Sequence, residues 1–491
     1  MTAAIPLLFL LLGILPFATS LTLIPQARVK SALHSVSESD RLDTVAFNHI
    51  EFVCGDARIT SAYFRSALGL VPYAESNLGT GNGVCASYAA TSGDFRLVFT
   101  APYGAPPVDG DAPSPLPSVD GDAPSPLPSW GAFDARNFFA RHGTAVRAVG
   151  VEVRDCLAAY DAAVAGGGRI ACPPAFVPFC RGVEGGAGLG KYVAELELYG
   201  DTVLRLVGPV VGDLGGGSYE EIEDPDPTLP FLPHLNPVSG SILDEGGGKY
   251  GIRRLDHCVG NVPDMQLVLK YMRSMMGYHD FAEFTREDVG TVNSGLNSVV
   301  LASATEDVLL PVNEPTAGKI KSQIQTYLEQ NDGPGVQHLA LSTDDIFRTI
   351  SLMKDAAIGF ELMAKPSENY YRTLPERLGE RLTESQYQMV EELGILADAE
   401  NEGVLLQIFT RPVADRPTFF VEIIQRIGCT ITTGRDDATG KSKEGGVDGV
   451  KINNIDDLIV IGQRPGCGGF GKGNFKELFK SIEDYEKTLK I

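Results

Sequence analysis

With 491 residues, 43% of them hydrophobic and 21% charged, the chain has the composition of a globular protein and room for two or more domains. Its formal net charge is −22 and it carries no basic run, which disfavours nucleic acid and anionic membrane as partners.

The first residues read as an address rather than as fold. Residues 3–18 are nearly all apolar and end in Ala18-Thr19-Ser20, a small-x-small cleavage pattern. The run is short for a bilayer span of roughly 20 residues and lacks a charged start, so it reads as a signal-peptide core. Residues 21–37 add Arg28, Lys30 and several serines but no acid, as a transit peptide does. Residues 1–43 are therefore taken as a presequence, directing the chain to an organelle such as a plastid or into the secretory route, with the cytoplasm as the alternative. No membrane association is expected after processing. The eight cysteines show no Cys-x-x-Cys and no framework spacing, so reduced, mostly buried thiols are expected.

Four times a strand-like segment leads into a helix-like one that a glycine stops. Residues 47–53 precede a helix over 56–67 and Gly69; residues 146–153 precede one over 155–165 and Gly166. A strand through His257 runs into a helix over 264–276 and Gly277, and 336–341 into one over 344–357, ahead of Gly359. Between them lie runs suited to antiparallel strands, at 95–100, 193–207, 298–312, 404–409 and 419–424. The pattern predicts an α+β fold of four βαβββ modules, two per domain. The N-terminal domain spans 44–211, the C-terminal domain 250–491, and a Gly-, Pro- and acid-rich linker fills 212–249. Within the first domain, VDGDAPSPLPS at 108–118 recurs unchanged at 119–129; this Pro-rich tandem is expected to be a disordered insert over 104–130.

Two glycine motifs are decoys. Residues 185–191 (GGAGLGK) mimic a phosphate loop, but Tyr192 stands where Ser or Thr is required and a strand follows. Residues 466–471 (GCGGFG) match a dinucleotide fingerprint by letters, yet too little chain follows for a βαβ unit.

The chemistry sits in three apolar strand-like runs, each interrupted by one residue able to hold a metal: His257, His338 and Glu422. Two histidines and one carboxylate, with positions left open, form the ligand set of non-haem Fe(II) oxygenases. Their separations are long and nearly equal (338 − 257 = 81 and 422 − 338 = 84), as expected of ligands from successive modules rather than a local zinc motif. Taken singly, each histidine reads more readily as a hydrogen-bonded core residue than as a ligand. A carboxylate among Phe, Val and Ile is harder to leave unpaired, because burying it alone costs several kcal/mol on the order of ionic desolvation. Aligning the module openings sets His49 beside His257 and Ala148 beside His338, so the N-terminal half lacks a ligand and is read as structural.

Several stretches then identify a family: 294–298 (SGLNS), 310–315 (LPVNEP), 321–327 (KSQIQTY), 335–341 (GVQHLAL), 405–409 (LLQIF), 416–426 (RPTFFVEIIQR) and 468–475 (GGFGKGNF). They closely resemble the 4-hydroxyphenylpyruvate dioxygenases, above all the plant and algal type, densely after residue 250 and more loosely from 44. The resemblance implies open β-barrel domains of the vicinal-oxygen-chelate (glyoxalase-like) fold and one Fe(II) per chain on His257, His338 and Glu422. It implies conversion of 4-hydroxyphenylpyruvate and O2 to homogentisate and CO2, a step of tyrosine and phenylalanine catabolism that supplies plastoquinone and tocopherol precursors. Gln323, Gln337, Gln407, Asn313 and Ser298 become catalytic donors and acceptors, expected as alternating strand residues facing a barrel lumen. Phe409, Phe470, Asn474, Phe475 and Phe479 become substrate-binding residues, with 474–489 a lid helix, and a homodimer is expected. The alternatives are a 4-hydroxymandelate synthase and a non-catalytic binding protein on the same fold.

Overall fold

A computed structural model describes residues 40–103, 132–180, 183, 185–215, 218–238, 248–285, 295–434 and 458–489. The presequence up to residue 39 and the Pro-rich tandem lie outside the described residues, as does Ser294.

Each of the four openings forms as its sequence pattern directs. The first module is β1 (Thr44–Val53), α1 (Ala57–Leu68), β2 (Val71–Ser76), β3 (Cys85–Ser92) and β4 (Phe95–Pro102). After α2 (Ala132–His142) comes the second: β5 (Ala145–Val153), α3 (Cys156–Ala165), β6 (Ile170–Pro178), β7 (Leu189–Tyr199) and β8 (Thr202–Gly215). Two short strands follow, β9 (Ser218–Glu221) and β10 (Asn236–Pro237). The third module is β11 (Ile252–Asn261), α4 (Met265–Met276), β12 (His279–Phe284), β13 (Leu296–Ala302) and β14 (Leu309–Pro315). After α5 (Gln323–Gln330), the fourth runs β15 (Gly335–Thr343), α6 (Ile346–Asp355), β16 (Leu396–Glu400), β17 (Gly403–Phe409) and β18 (Phe420–Ile427). Two extra helices, α7 (Glu368–Leu378) and α8 (Glu384–Leu393), are inserted before β16, and α9 (Phe475–Leu489) closes the described chain.

The same residue type starts every module helix. Asp56, Asp155, Asp264 and Asp345 are the N-caps of α1, α3, α4 and α6, each accepting from backbone N–H groups that the first turn leaves orphaned. Gly69 and Gly277 then end α1 and α4 in the left-handed conformation at φ 68° and 73°, which a Cβ would penalise.

Within each module the first and last strands pair in parallel, β1 with β4, β5 with β8, β11 with β14 and β15 with β18. Two modules then join through their antiparallel first strands, β1 with β5 and β11 with β15. The results are a ten-stranded sheet, β10-β2-β3-β4-β1-β5-β8-β7-β6 with β9 on β8, and an eight-stranded one, β12-β13-β14-β11-β15-β18-β17-β16. Both are curled half-barrels packed on helices. They meet where Ser92 Oγ donates to the Ile252 carbonyl at 2.6 Å and Phe52 sets its ring edge-on to Phe419 at 4.9 Å.

Strand register gives the two sheets a common frame. In the second sheet, His257 faces Ala340, Ala340 faces Glu422, and Val259 faces His338. In the first, His49 faces Gly150, Gly150 faces Arg205, and Glu51 faces Ala148. Ala148 therefore takes the place of His338, and Arg205 takes the place of Glu422. The Arg205 guanidinium is fully buried, pairing with Glu51 at 2.6 Å and Glu195 at 2.7 Å, and its Nη1 donates to His49 Nε2 at 2.9 Å. A fixed cation of the chain itself thus sits among His49 and two carboxylates. Burial and this neighbouring guanidinium hold the His49 ring well below its usual pKa.

Three expectations change. The stretch 212–249 is not a bare linker: β8 extends into it, β9 and β10 join the sheet, and Phe231, Leu232 and Leu235 bury against Tyr73, Ala74, Ala89, Val98 and Val207. Apolar residues spaced among its prolines supply that burial. Cys429 and Cys467 form a disulfide, Cα–Cα 5.9 Å, so not every thiol is reduced. Gln323 opens helix α5 rather than lying on a strand, with Ser322 as the N-cap.

Candidate metal centre

His257, His338 and Glu422 stand on β11, β15 and β18, three consecutive strands in the middle of the second sheet. Register shifts lie beside both histidines, between Leu255 and His257 and between Val259 and Gly260 opposite His338. Bulges of this kind re-aim side chains. One ligand atom from each of the three residues falls within 4.8 Å of the other two.

The residue before each histidine sets its tautomer. His257 Nδ1 donates to Asp256 Oδ1 at 2.9 Å, and His338 Nδ1 donates to Gln337 Oε1 at 2.9 Å, since a carboxylate and an amide oxygen can only accept. Both Nε2 atoms therefore carry lone pairs toward Glu422 Oε2, at 3.3 and 3.4 Å. Three largely buried acceptor atoms aimed at one point are satisfied by a positive charge between them, and the donor set fits a divalent metal.

The electrostatics agree. Without a metal a proton takes the cation's place: burial works to raise the Glu422 pKa, but hydrogen bonding and charge from the imidazoles, protonated at Nε2, outweigh it and bring it down to about 2. Burial would lower His257, yet Asp256 and Glu422 raise it above the usual imidazole range, whereas burial prevails at His338, whose neighbour is the neutral Gln337. Asp256 is held well below the usual carboxylate range: burial opposes this, but the Arg426 guanidinium overcomes it.

These ligands face a cavity of about 590 Å³, measured with its open mouth. Ser298, Asn313, Gln323, Gln337 and Gln407 line it, as do Phe409, Phe470, Phe475 and Phe479. Asn313 Nδ2 donates to Asn261 Oδ1 at 3.2 Å, while Gln407 Oε1 is buried with no protein partner. Asn474 does not line the cavity. It is fully buried behind the wall, where its Oδ1 accepts from Tyr370 at 2.7 Å and ties the turn before α9 to α7. Helix α9 lays Leu478, Phe479 and Ile482 on the cavity and begins at Phe475, after a short 3-10 turn over Lys472–Asn474.

Sequence reasoning missed several lining residues. Phe420 stacks on His338 with centroids 4.7 Å apart and planes within 16°, and Phe284, Val259 and Leu296 complete the apolar wall. Phe420 lies two residues before Glu422, so strand alternation places both on one face; that signal was available. Nothing local marks Phe284 or Leu296, which owe their place to pairing across the sheet.

No family model matches the chain. Curated relatives do: the 4-hydroxyphenylpyruvate dioxygenase of Plectranthus scutellarioides is 45% identical over 467 residues, covering 94% of this chain and 93% of the relative. Those of Daucus carota, 47% identical over 459 residues, and Arabidopsis thaliana, 45% over 458, each span 92% of this chain and 89% and 90% of their own. The chain belongs to the 4-hydroxyphenylpyruvate dioxygenase family. Among solved structures, a triple mutant of 4-hydroxymandelate synthase from Streptomyces coelicolor superposes with a TM-score of 0.63 at 20% identity, covering 90% of this chain and 99% of that one. A xylose isomerase-like TIM barrel/4-hydroxyphenylpyruvate dioxygenase fusion protein superposes at 0.51 and 19%, covering 92% of this chain and 54% of that one. Both likenesses bear on the fold alone. Among the described residues no helix is long and apolar enough to cross a membrane.

Proposed function

We propose that the chain catalyses the Fe(II)-dependent conversion of 4-hydroxyphenylpyruvate and O2 to homogentisate and CO2. The observation that carries this is the buried His257, His338 and Glu422 triad at the base of a cavity walled by phenylalanines and amides. Ferrous iron bound there would offer open positions to the 2-oxo acid and O2 and relay electrons to O2, the net four coming from the substrate as it loses CO2 and its ring gains oxygen.

The rest of the work falls to the chain. Two neutral imidazoles and one carboxylate cancel only half of a divalent charge, so the site retains attraction for an anionic 2-oxo acid. Asp256 and Gln337 keep the Nε2 lone pairs directed inward. Ser298, Asn313, Gln323 and Gln407 supply polar contacts to a phenolic ring in a wall otherwise apolar. Gln407 Oε1, buried without a partner, is suited to accept from a phenol. Phe409, Phe470 and Phe475 offer faces and edges to the same ring, and α9, carrying Phe479, shuts out water. Product formation conserves atoms: one oxygen of O2 ends in the new carboxylate and the other in the ring hydroxyl as the original carboxyl leaves as CO2. We place this reaction in tyrosine and phenylalanine catabolism.

Anaerobic loading with Fe(II), followed by oxygen uptake with product identification, tests the reading. Homogentisate in step with oxygen consumption is the expected result. Hydroxymandelate would move the chain to benzylic hydroxylation, and no uptake would leave a binding protein; the names of the relatives favour neither.

A further inference from the structure

Arg426 lies four residues beyond Glu422 on the same strand, with its side chain 2% exposed and its guanidinium beside the ring of the cavity-lining Phe470. Its guanidinium works in two directions. Nε and Nη2 donate to the two oxygens of Asp256 at 2.9 and 2.7 Å, and Nη1 donates to the carbonyls of Cys467 and Gly469 at 2.7 and 2.6 Å. Asp256 Oδ1 accepts in turn from His257 Nδ1. An unbroken run of charge-assisted hydrogen bonds therefore joins the metal ligand His257 to the backbone of 467–469, the loop that leads into α9.

That loop is built to be held. Gly466, Gly468, Gly469 and Gly471 have φ of 64°, 78°, 76° and 74°, and a Cβ on Gly468 would come within 2.6 Å of the Val404 carbonyl carbon. Cys467 is bonded to Cys429, just past the end of β18. Phe470, between two of these glycines, sets its ring centroid 5.3 Å from that of His257 and 5.4 Å from the Arg426 guanidinium carbon, and lines the cavity. Stability alone does not account for a fully buried ion pair here, since apolar side chains of like volume hold such a loop as well or better.

We propose that Asp256 and Arg426 are positioning residues that couple the metal centre to the C-terminal helix, so that metal on His257 and closure of α9 favour one another. This rests on the metal site read above. A metal on Nε2 fixes the His257 ring, the ring fixes the Asp256 carboxylate, and the carboxylate sets the guanidinium from which the loop carbonyls hang. The coupling is reciprocal, because each event changes the free energy of the other by the same amount.

The test uses the whole chain and Co(II), whose visible spectrum reports ligation. In the native protein, Co(II) loading raises hydrogen-exchange protection across 475–489. Arg426→Gln lowers Co(II) affinity about 10- to 100-fold, the range seen when the partner of a ligating histidine is disturbed, and at saturation the gain in protection is gone. Arg426→Lys keeps a cation beside Asp256 but cannot reach both loop carbonyls as well. It restores most of the affinity without the protection, and this covers the case in which Arg426→Gln fails to fold. Phe479→Ala, which loosens α9, weakens Co(II) binding in the native background and not in the Arg426→Lys background, a non-additivity that a merely structural role does not give. Metal-dependent protection that survives in either Arg426 variant, or that is absent from a native protein binding Co(II), overturns the proposal. A native protein that takes up no Co(II) overturns the metal site first.

Discussion

Replacing Arg205 with methionine tests the interior of the first barrel. The substitution roughly keeps volume but removes the cation between Glu51 and Glu195, at 2.6 and 2.7 Å, and the donor to His49 at 2.9 Å. Two carboxylates then stay in a site where Glu51 is 1% and Glu195 2% exposed. Breaking a buried pair from one side typically costs about 3–5 kcal/mol, because the partner charge is left uncompensated. For a unit of this size each kcal/mol lowers Tm by roughly 2–4 °C, so a fall of about 6–20 °C is expected by calorimetry. The triple variant Arg205→Met, Glu51→Leu, Glu195→Leu removes the charges together and recovers most of the loss. Metal stoichiometry at the second barrel stays at that of the native chain in both. A single variant within about 1 kcal/mol of native, well below the cost of a broken buried pair, or a triple variant as damaged as the single, refutes the reading of Arg205 as a structural cation.

Glu422→Gln keeps the shape of the ligand but removes the charge and offers an amide in its place, so divalent-metal affinity by calorimetric titration and oxygen uptake both fall severely; near-native turnover would take this carboxylate out of the centre. Deleting 470–491 removes Phe470, Phe475 and Phe479 from the cavity wall. Oxygen uptake is then impaired while far-ultraviolet circular dichroism of the two sheets persists, and an unchanged rate would dismiss α9 as a cover.

Much of this was legible because the modules repeat their punctuation. An aspartate before each helix caps the same orphaned amides, and a glycine after most of them ends the turn, so four copies could be counted without any long-range information. His257 and His338 stood out as imidazoles in largely apolar strands, and parallel register between β15 and β18 is what brings Glu422 to them. What stayed hidden depends on chain reversal. Gln323 was grouped with the strand amides Gln337 and Gln407, but Ser322 starts a helix there. Asn474 shares a motif with Phe475 yet turns away to Tyr370, a partner 104 residues distant. Cys429 and Cys467 are 38 residues apart with no framework spacing between them. Asp256 and Arg426 reveal their pairing only once β11 and the end of β18 are known to lie one strand apart.

The guanidinium at the heart of the first barrel also bears on how the molecule matures. One half is born with its central positive charge, attached covalently and delivered with the polypeptide; the other has to scavenge its charge from the surroundings. In limited proteolysis of the metal-free chain the first cuts are therefore expected in the later half, since the earlier one already holds its charge. One half thus carries its central charge in its own sequence, and the other has a ligand set open to one from outside.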